Sequence, residues 1–412
     1  MPTPTPARRP RVALYGHDTC GLGHLRRNLA LAAALRAADA RPDVLILTGS
    51  PAAQRFPRPD GVEIVVLPTV SKDADGRYAA GSLDVPLDVV VQLRAATAEA
   101  VLTAWQPDLL VVDKVPTGFR GELAGALDAL RRNGSTRTVL GLRDVLDSPA
   151  TARAEWSRDD GPAALDRWYD EVWVYGDARV HDLRHDLRLT RDQRLATRFT
   201  GYLAEGRRTT GTRPLPRRCP SARTVLAGVG GGVDGADLTR ALLATPLPPG
   251  TELVLLPGPF ADAGLHAELD RAAATRTDLH VVPFTDGFPD WAQAADAVVC
   301  MGGYNTVAEV LATDTPALVV PRTRPRREQL VRARSMARRG LLDVLTSPTP
   351  QALGRWVEHV LAEPTSQAGA RTRCDLAGLD AVRRRAGELL GAAPAALHLP
   401  APLNGTESRR AS

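Results

Sequence analysis

Short apolar runs of β type alternate with amphipathic helical patterns along this whole chain, and no other feature limits its possible folds as strongly. Val12–Tyr15, Val44–Thr48, Val62–Leu67, Leu109–Val112, Thr138–Leu142 and Glu171–Tyr175 read as strands, with helical patterns such as Leu25–Ala37 and Leu87–Trp105 between them. Strands this apolar have no polar face to give to water, so the alternation calls for a parallel sheet covered by helices on both sides. From Gly201 to Arg223 the sequence becomes GYLAEGRRTTGTRPLPRRCPSAR, rich in Gly, Pro, Thr and Arg and without periodic apolar positions, as an interdomain linker should be. The alternation then resumes. Thr224–Ala227, Leu253–Leu256, Leu279–Val282, Ala297–Cys300 and Ala317–Val320 read as strands, and Asp237–Leu243, Thr306–Ala312 and Glu328–Arg338 as helices.

The expected fold is therefore α/β: two tandem, Rossmann-like, doubly wound domains whose strand C-terminal ends face a central cleft. The first spans 11–205 and the second 223–390, joined by a linker at 206–222, with a helical stretch from Ala370 to Leu390 closing the fold. The tails at 1–10 and 391–412 are expected to be disordered. A length of 412 residues suits two cores of ordinary size. No apolar run approaches the roughly 18 residues of a membrane span, and the opening MPTPTPARRPR lacks the apolar segment of a signal peptide, so a cytoplasmic location is expected. Cys20, Cys219, Cys300 and Cys374 are too scattered for a zinc site or a disulfide scaffold and are read as free thiols. The net charge of +5 is spread along the chain, and aromatics at 4% are too sparse for base-stacking platforms, which argues against nucleic acid as a partner. A basic face remains compatible with an anionic membrane surface, a nucleotide or a phosphorylated acceptor.

Three glycine-bearing stretches fall at strand-to-helix junctions. The first, HDTCGLGHLRRN from His17 to Asn28, lacks the full dinucleotide spacing because Arg26 stands at the final glycine position, and Asp43 begins the next strand rather than ending it. A histidine at a helix N-terminus feels the positive end of the dipole, which favours the neutral imidazole a general base needs. His24 is placed for that role and His17 is its competitor. Asp113, at the end of Leu109–Val112, is a candidate to hold His24 in one tautomer. His17, Lys114, Thr117, Arg143 and Asp144, at or just past neighbouring strand ends, are candidates for an acceptor pocket. The second stretch, AGVGGGVDG from Ala227 to Gly235, offers backbone N–H groups to phosphate oxygens. The third runs from Cys300 to Leu330; Thr306 and Glu309 have the spacing of a capping box, while Glu309 could equally accept from ribose hydroxyls.

Together these stretches resemble the GT-B glycosyltransferases of family 28, which includes an N-acetylglucosaminyltransferase acting on a lipid-linked peptidoglycan precursor. The likeness is closest across PFTDGFPDWAQAADAVVCMGGYNTVAE, then PALVVP, then RREQ. A bacterial group of glycosyltransferase-like chains carrying G-L-G-H-L-R-R near the start and C-M-G-G-Y-N-T with P-R-R-E-Q near the end is more similar still. The resemblance implies that Gly303, Asn305 and Thr306 face the donor diphosphate together with Gly23 and the loop Gly230, Gly231 and Gly232. It places Glu309 on the ribose, Phe284 near the base, and Glu328 and Gln329 on the donor sugar. It departs where the family has a proline after the loop histidine and this chain has Arg26-Arg27.

The implied function is metal-independent, inverting transfer of a hexose or N-acetylhexosamine from a nucleotide diphosphate sugar, UDP-linked by expectation, to an acceptor hydroxyl on a lipid-linked or small molecule. No cofactor is expected. Asp73-Ala74-Asp75 mimics a metal-binding triplet but is read as solvated, and the His181/His185 pair has no third zinc ligand nearby. The double arginines at 26–27 and 326–327 could meet phosphate or form exposed charged faces. A nucleotide-sugar 2-epimerase and a non-catalytic subunit that recruits a partner are the alternatives.

Overall fold

A computed structural model describes residues 8–18, 22–72, 77–207, 214–231, 234–363 and 369–391. Asp73 to Asp75, Gly232, Cys20 and most of both tails lie outside the described residues. The first domain holds β1 (Arg11–Gly16), β2 (Asp43–Thr48), β3 (Val62–Val66), a β4–β5 hairpin (Val70–Lys72 and Tyr78–Ala80), β6 (Leu109–Asp113), β7 (Arg137–Arg143), β8 (Glu171–Tyr175) and β9 (Thr197–Phe199). Apart from the hairpin these form one parallel sheet in the order β3-β2-β1-β6-β7-β8-β9. The second domain holds β10 (Arg223–Gly228), β11 (Thr251–Leu256), β12 (Leu279–Val281), β13 (Ala297–Cys300), β14 (Ala317–Val319) and β15 (Asp343–Val344). Its parallel sheet runs β12-β11-β10-β13-β14-β15.

Each sheet reverses its winding once, between β1 and β6 in the first and between β10 and β13 in the second. Loops leaving adjacent strands at such a point diverge to opposite faces and open a crevice at the strand C-terminal ends. The registers that fix these points are continuous: Val12 pairs with both Val44 and Leu109, and Val225 with both Leu253 and Ala297. Alternate residues of one strand feed opposite layers. Val12 and Leu14 pack in one apolar cluster, and Ala13 and Tyr15 in the other, all fully buried. Burying a side chain such as Leu14 is worth about 1.5–3 kcal/mol, and because both faces need it these strands carry almost no polar residue.

The described structure differs from the sequence expectation in three places. The helix after β13 begins at Tyr304 with Gly303 at its N-cap and no side-chain cap, so Thr306 lies inside the first turn and the capping box is absent. The closing helical stretch divides into Ala370–Arg373 and Gly378–Gly391. The latter, read from sequence as the end of the second domain, returns to the first, where it packs on the helix Gly23–Arg36 and on β6, and Arg385 pairs with Glu171. That return places two crossings side by side: Tyr202 N donates to Asp375 O at 2.8 Å, and Glu205 N to Leu376 O at 3.1 Å. Tyr202, Leu203 and Ala204 are buried, so this part of the connection is packed rather than solvated.

Candidate functional site

At the first switch point β1 ends in Gly16, and Asp18 adopts a positive φ of 26°. Its carboxylate serves the helix Gly23–Arg36, whose N-cap residue Leu22 offers no side-chain acceptor: Oδ1 accepts from Leu25 N at 3.2 Å, and the Thr48 hydroxyl donates to Oδ2. His24 follows in the first turn. Its Nδ1 lies 2.8 Å from Oδ2 of Asp113, the last residue of β6. Arg27, one turn further along the same helix face, donates to Asp113 through Nη2 and through Nε at 3.1 Å. Burial pushes the Asp113 carboxyl up, but Arg27 and His24 override it and hold the group well below the usual carboxylate range. Arg27 Nη2 also lies 3.1 Å from His24 Nδ1; because an ionised Asp113 only accepts, Nδ1 is the donor in the 2.8 Å contact. The His17 ring stands 4.4 Å from that of His24; burial, with His24 and Lys114 close by, takes its pKa well below the ordinary histidine value.

Two cations stand at the next strand ends. Lys114 has a φ of 73° and a pKa brought down to about 8 by burial and by Arg143 and Arg326. Burial, Arg332 and Arg27 bring Arg143 down to about 10, and its Nε is buried without a partner. Neither side chain has a hydrogen-bond or ion-pair partner among the described residues. Thr117 is half-buried. Asp144, expected in the same pocket, is instead taken by Arg332 of the second domain, with Nη2 at 2.6 Å from Oδ1 and both side chains 1% exposed.

At the second switch point Gly230, with φ at 72°, makes the left-handed turn that a side chain would oppose, and Gly231 O accepts from Phe260 N at 3.0 Å. After β13 the turn Gly302-Gly303 leads into the helix Tyr304–Leu311, and a Cβ at Gly303 would meet nothing within 4 Å, so this helix N-terminus is open. Asn305 Nδ2 donates to Gly23 O at 2.9 Å, joining the starts of two helices from different domains. Glu309 Oε1 accepts from Arg26 Nη2 at 2.6 Å and from Arg207 Nη1 at 2.8 Å, while Oε2 is buried without a partner. Gln329 uses its Oε1 to accept from Gly302 N at 3.1 Å and Arg322 N at 3.0 Å, which ties the glycine turn to the loop after β14. Glu328 accepts from Arg322 at 2.7 Å; burial raises its carboxyl, and Arg143, Arg322 and Arg332 together bring it below the ordinary value.

A cavity of about 640 Å³ opens between the domains over Glu309, walled by Arg26 and Arg207, by Phe56 and Arg36 from the first domain, and by Phe284 and Thr285 from the second. The Phe284 ring is 44% exposed and stands edge-on to Phe56 at 6.0 Å. A smaller pocket of about 50 Å³ adjoins it, lined by Arg26, Gly230, Phe284 and Thr306. Among the described residues no three His, Cys, Asp or Glu side chains gather where they could hold a metal ion. His181 and His185 turn to Asp186 and Asp182.

The structure thus brings His24, Asp113 and His17 together in the first domain, Gly230, Phe284 and Thr306 around one small pocket, and Phe284 and Glu309 around the adjoining cavity. The arginines are where the sequence reading falls short. Arg27 is 1% exposed and forms a buried ion pair, while Arg326 crosses to Glu155 at 2.6 Å and Asp147 at 3.3 Å, so neither belongs to an exposed charged face. Spacing held the only clue: Arg27 follows His24 by three residues on a helix whose start is fixed by the glycines.

Comparison with known proteins adds to this geometry. Residues 248–375 match the glycosyltransferase family 28 C-terminal domain. The chain is 28% identical over 345 residues to the UDP-N-acetylglucosamine–N-acetylmuramyl-(pentapeptide) pyrophosphoryl-undecaprenol N-acetylglucosamine transferase of Acidothermus cellulolyticus, covering 80% of this chain and 82% of that one. Its fold is shared with the glycotransferase of kitacinnamycin, at a TM-score of 0.61 and 18% identity over 93% of this chain and 99% of that one. It is shared equally with the spinosyn forosaminyltransferase SpnP, at 0.63 and 15% over 93% and 100%.

Proposed function

From the premise of a glycosyltransferase of GT-B fold with the C-terminal domain of family 28, we propose inverting, metal-independent transfer of a hexose or N-acetylhexosamine from a UDP-linked donor to an acceptor hydroxyl. One observation carries the chemistry: a buried carboxylate held ionised by Arg27 accepts from His24 Nδ1 at 2.8 Å, one residue from Gly23, whose carbonyl accepts from Asn305 of the domain that matches family 28. In this reading Nε2 of His24 takes the acceptor hydroxyl proton as the oxygen attacks the anomeric carbon. The nucleoside diphosphate leaves from the other face of the sugar. Its charge is met by the open N-terminus of the helix Tyr304–Leu311 and by amides of the Gly230-Gly231 turn. Glu309 takes the ribose, Phe284 and Phe56 flank the base, and Glu328 and Gln329 meet the sugar.

The acceptor pocket is cationic. Lys114 and Arg143 face it unpaired, which supports an acceptor with an anionic group, such as the pyrophosphoryl lipid named for the Acidothermus relative. No helix among the described residues is long and apolar enough to cross a membrane, yet Leu83, Val85, Val89 and Leu93 are exposed beside Arg120 at one end of the first domain. That patch supports peripheral contact with an anionic bilayer, to be checked by sedimentation with anionic against zwitterionic vesicles.

The test of function is a melting-temperature panel of nucleoside diphosphates and their sugars, followed by product analysis with the best donor. Selective stabilisation by UDP and its sugars is expected, because a ligand that binds only the folded state raises its stability. Turnover that persists in EDTA is the expected sign of metal independence. Epimerised nucleotide sugar formed without any acceptor would replace this reading by an epimerase.

A further inference from the structure

The ribose carboxylate of this chain is held by a residue from the opposite domain. Arg26 reaches across the cleft from the helix Gly23–Arg36 and places Nη2 2.6 Å from Glu309 Oε1. The same oxygen already accepts from Arg207 at 2.8 Å, so two guanidinium groups share one carboxylate oxygen. The other oxygen, Oε2, is buried and has no partner. Arg26 also lines the small pocket formed by Gly230 and Thr306, which directly adjoins the larger cavity over Glu309. Its side chain is 25% exposed, compared with 7% for Arg207. The guanidinium therefore borders both pockets, and Glu309 keeps a cation in Arg207 when Arg26 leaves.

We propose that Arg26 is a donor-gated cation, which neutralises Glu309 while the cleft is empty and moves onto the donor diphosphate when ribose hydroxyls take the carboxylate. The inference rests on the donor reading above and adds to it a specific residue. It assigns the first domain a direct share in stabilising the leaving group. A helix N-terminus and two glycine amides offer only partial charges, whereas a guanidinium brings a full one in bidentate geometry.

Binding of uridine and of UDP to the full chain, measured by calorimetry for wild type, Arg26→Ala and Arg26→Lys, tests this. Uridine competes with Arg26 for Glu309 and has no phosphate, so Arg26→Ala should bind it as tightly as wild type or several-fold more tightly. UDP should lose about 10-fold or more in affinity, the scale of a charged hydrogen bond, and kcat should fall further because charge on the diphosphate grows as the sugar departs. Arg26→Lys keeps the charge without the fork and should recover part of the UDP affinity while leaving uridine unchanged. It also supplies the answer if the alanine variant does not fold. Equal losses for uridine and UDP in both variants would mark Arg26 as a structural brace and overturn the proposal, as would UDP affinity that neither variant changes. Failure of wild type to bind either ligand would overturn the donor reading itself, an outcome distinct from both.

Discussion

Asp113 has two partners, and the order in which they act decides what each substitution should do. His24→Ala removes the proposed base but leaves Arg27 on the carboxylate, so folding and UDP binding should persist while kcat falls by roughly 10² to 10⁴. A variant with unchanged kcat would end the general-base reading. Arg27→Met acts differently. It leaves Asp113, 1% exposed, with only the imidazole, and removing one member of a buried ion pair typically costs about 3–5 kcal/mol. Lost stability and lost turnover should therefore appear together in Arg27→Met and separately in His24→Ala, a contrast that chemical denaturation and steady-state kinetics read directly.

Lys114 and Arg143 are adjacent because β6 and β7 end side by side, with Asp113 opposite Gly141. The two cations, with Arg326 across the cleft, make Lys114 costly to charge, partly offset by Glu155 and Glu328. Its pKa of about 8 in the folded protein against 10.5 for the free side chain gives the sign. Below pH 8 both states hold the proton and the folded state bears the full cost. Between about pH 8 and 10 the unfolded chain binds more protons than the folded one, so this site makes stability rise with pH. Lys114→Met should accordingly be the more stable protein at pH 7, and the gap should narrow from pH 8 to 10. A gap that stays constant over that range would mean Lys114 is not electrostatically loaded. Elements of this kind were readable in advance, since apolar runs of strand length between glycine turns set where each strand ends and so placed His24 near Asp113. What could not be read was reach. Arg26, Arg326 and Arg332 find their carboxylates 283, 171 and 188 residues away, at distances that depend on how two domains sit together, and no local period encodes that. The hairpin β4–β5 and the two-residue β15 were missed for a simpler reason, being too short to show alternation.

The two domains are joined by more than their crossings. Arg332 lies in the helix Glu328–Ala337 yet spends its guanidinium on Asp144 of the first domain and on Gly302 O, at 2.9 Å, so one side chain ties the first domain to the Gly302-Gly303 turn. Arg326 to Glu155 and Arg26 to Glu309 also join the two domains, with arginine side chains 29% and 25% exposed, which leaves Arg332 as the deeply buried member of the set. Desolvating a pair this far from water consumes most of its attraction, so the bridge should contribute little net stability while being costly to break. Arg332→Met strands the Asp144 carboxylate and should lower the unfolding free energy by about 3–5 kcal/mol, whereas Arg332→Met combined with Asp144→Leu should regain most of it. The restored double variant is the informative protein. If the bridge sets the domain angle, it should fold as stably as wild type yet bind UDP sugar more weakly, because the Gly302-Gly303 turn has lost the side chain that held its carbonyl. Wild-type donor affinity in the double variant would show instead that packing along Tyr202–Ala204 and Asp375–Ala377 holds the cleft unaided.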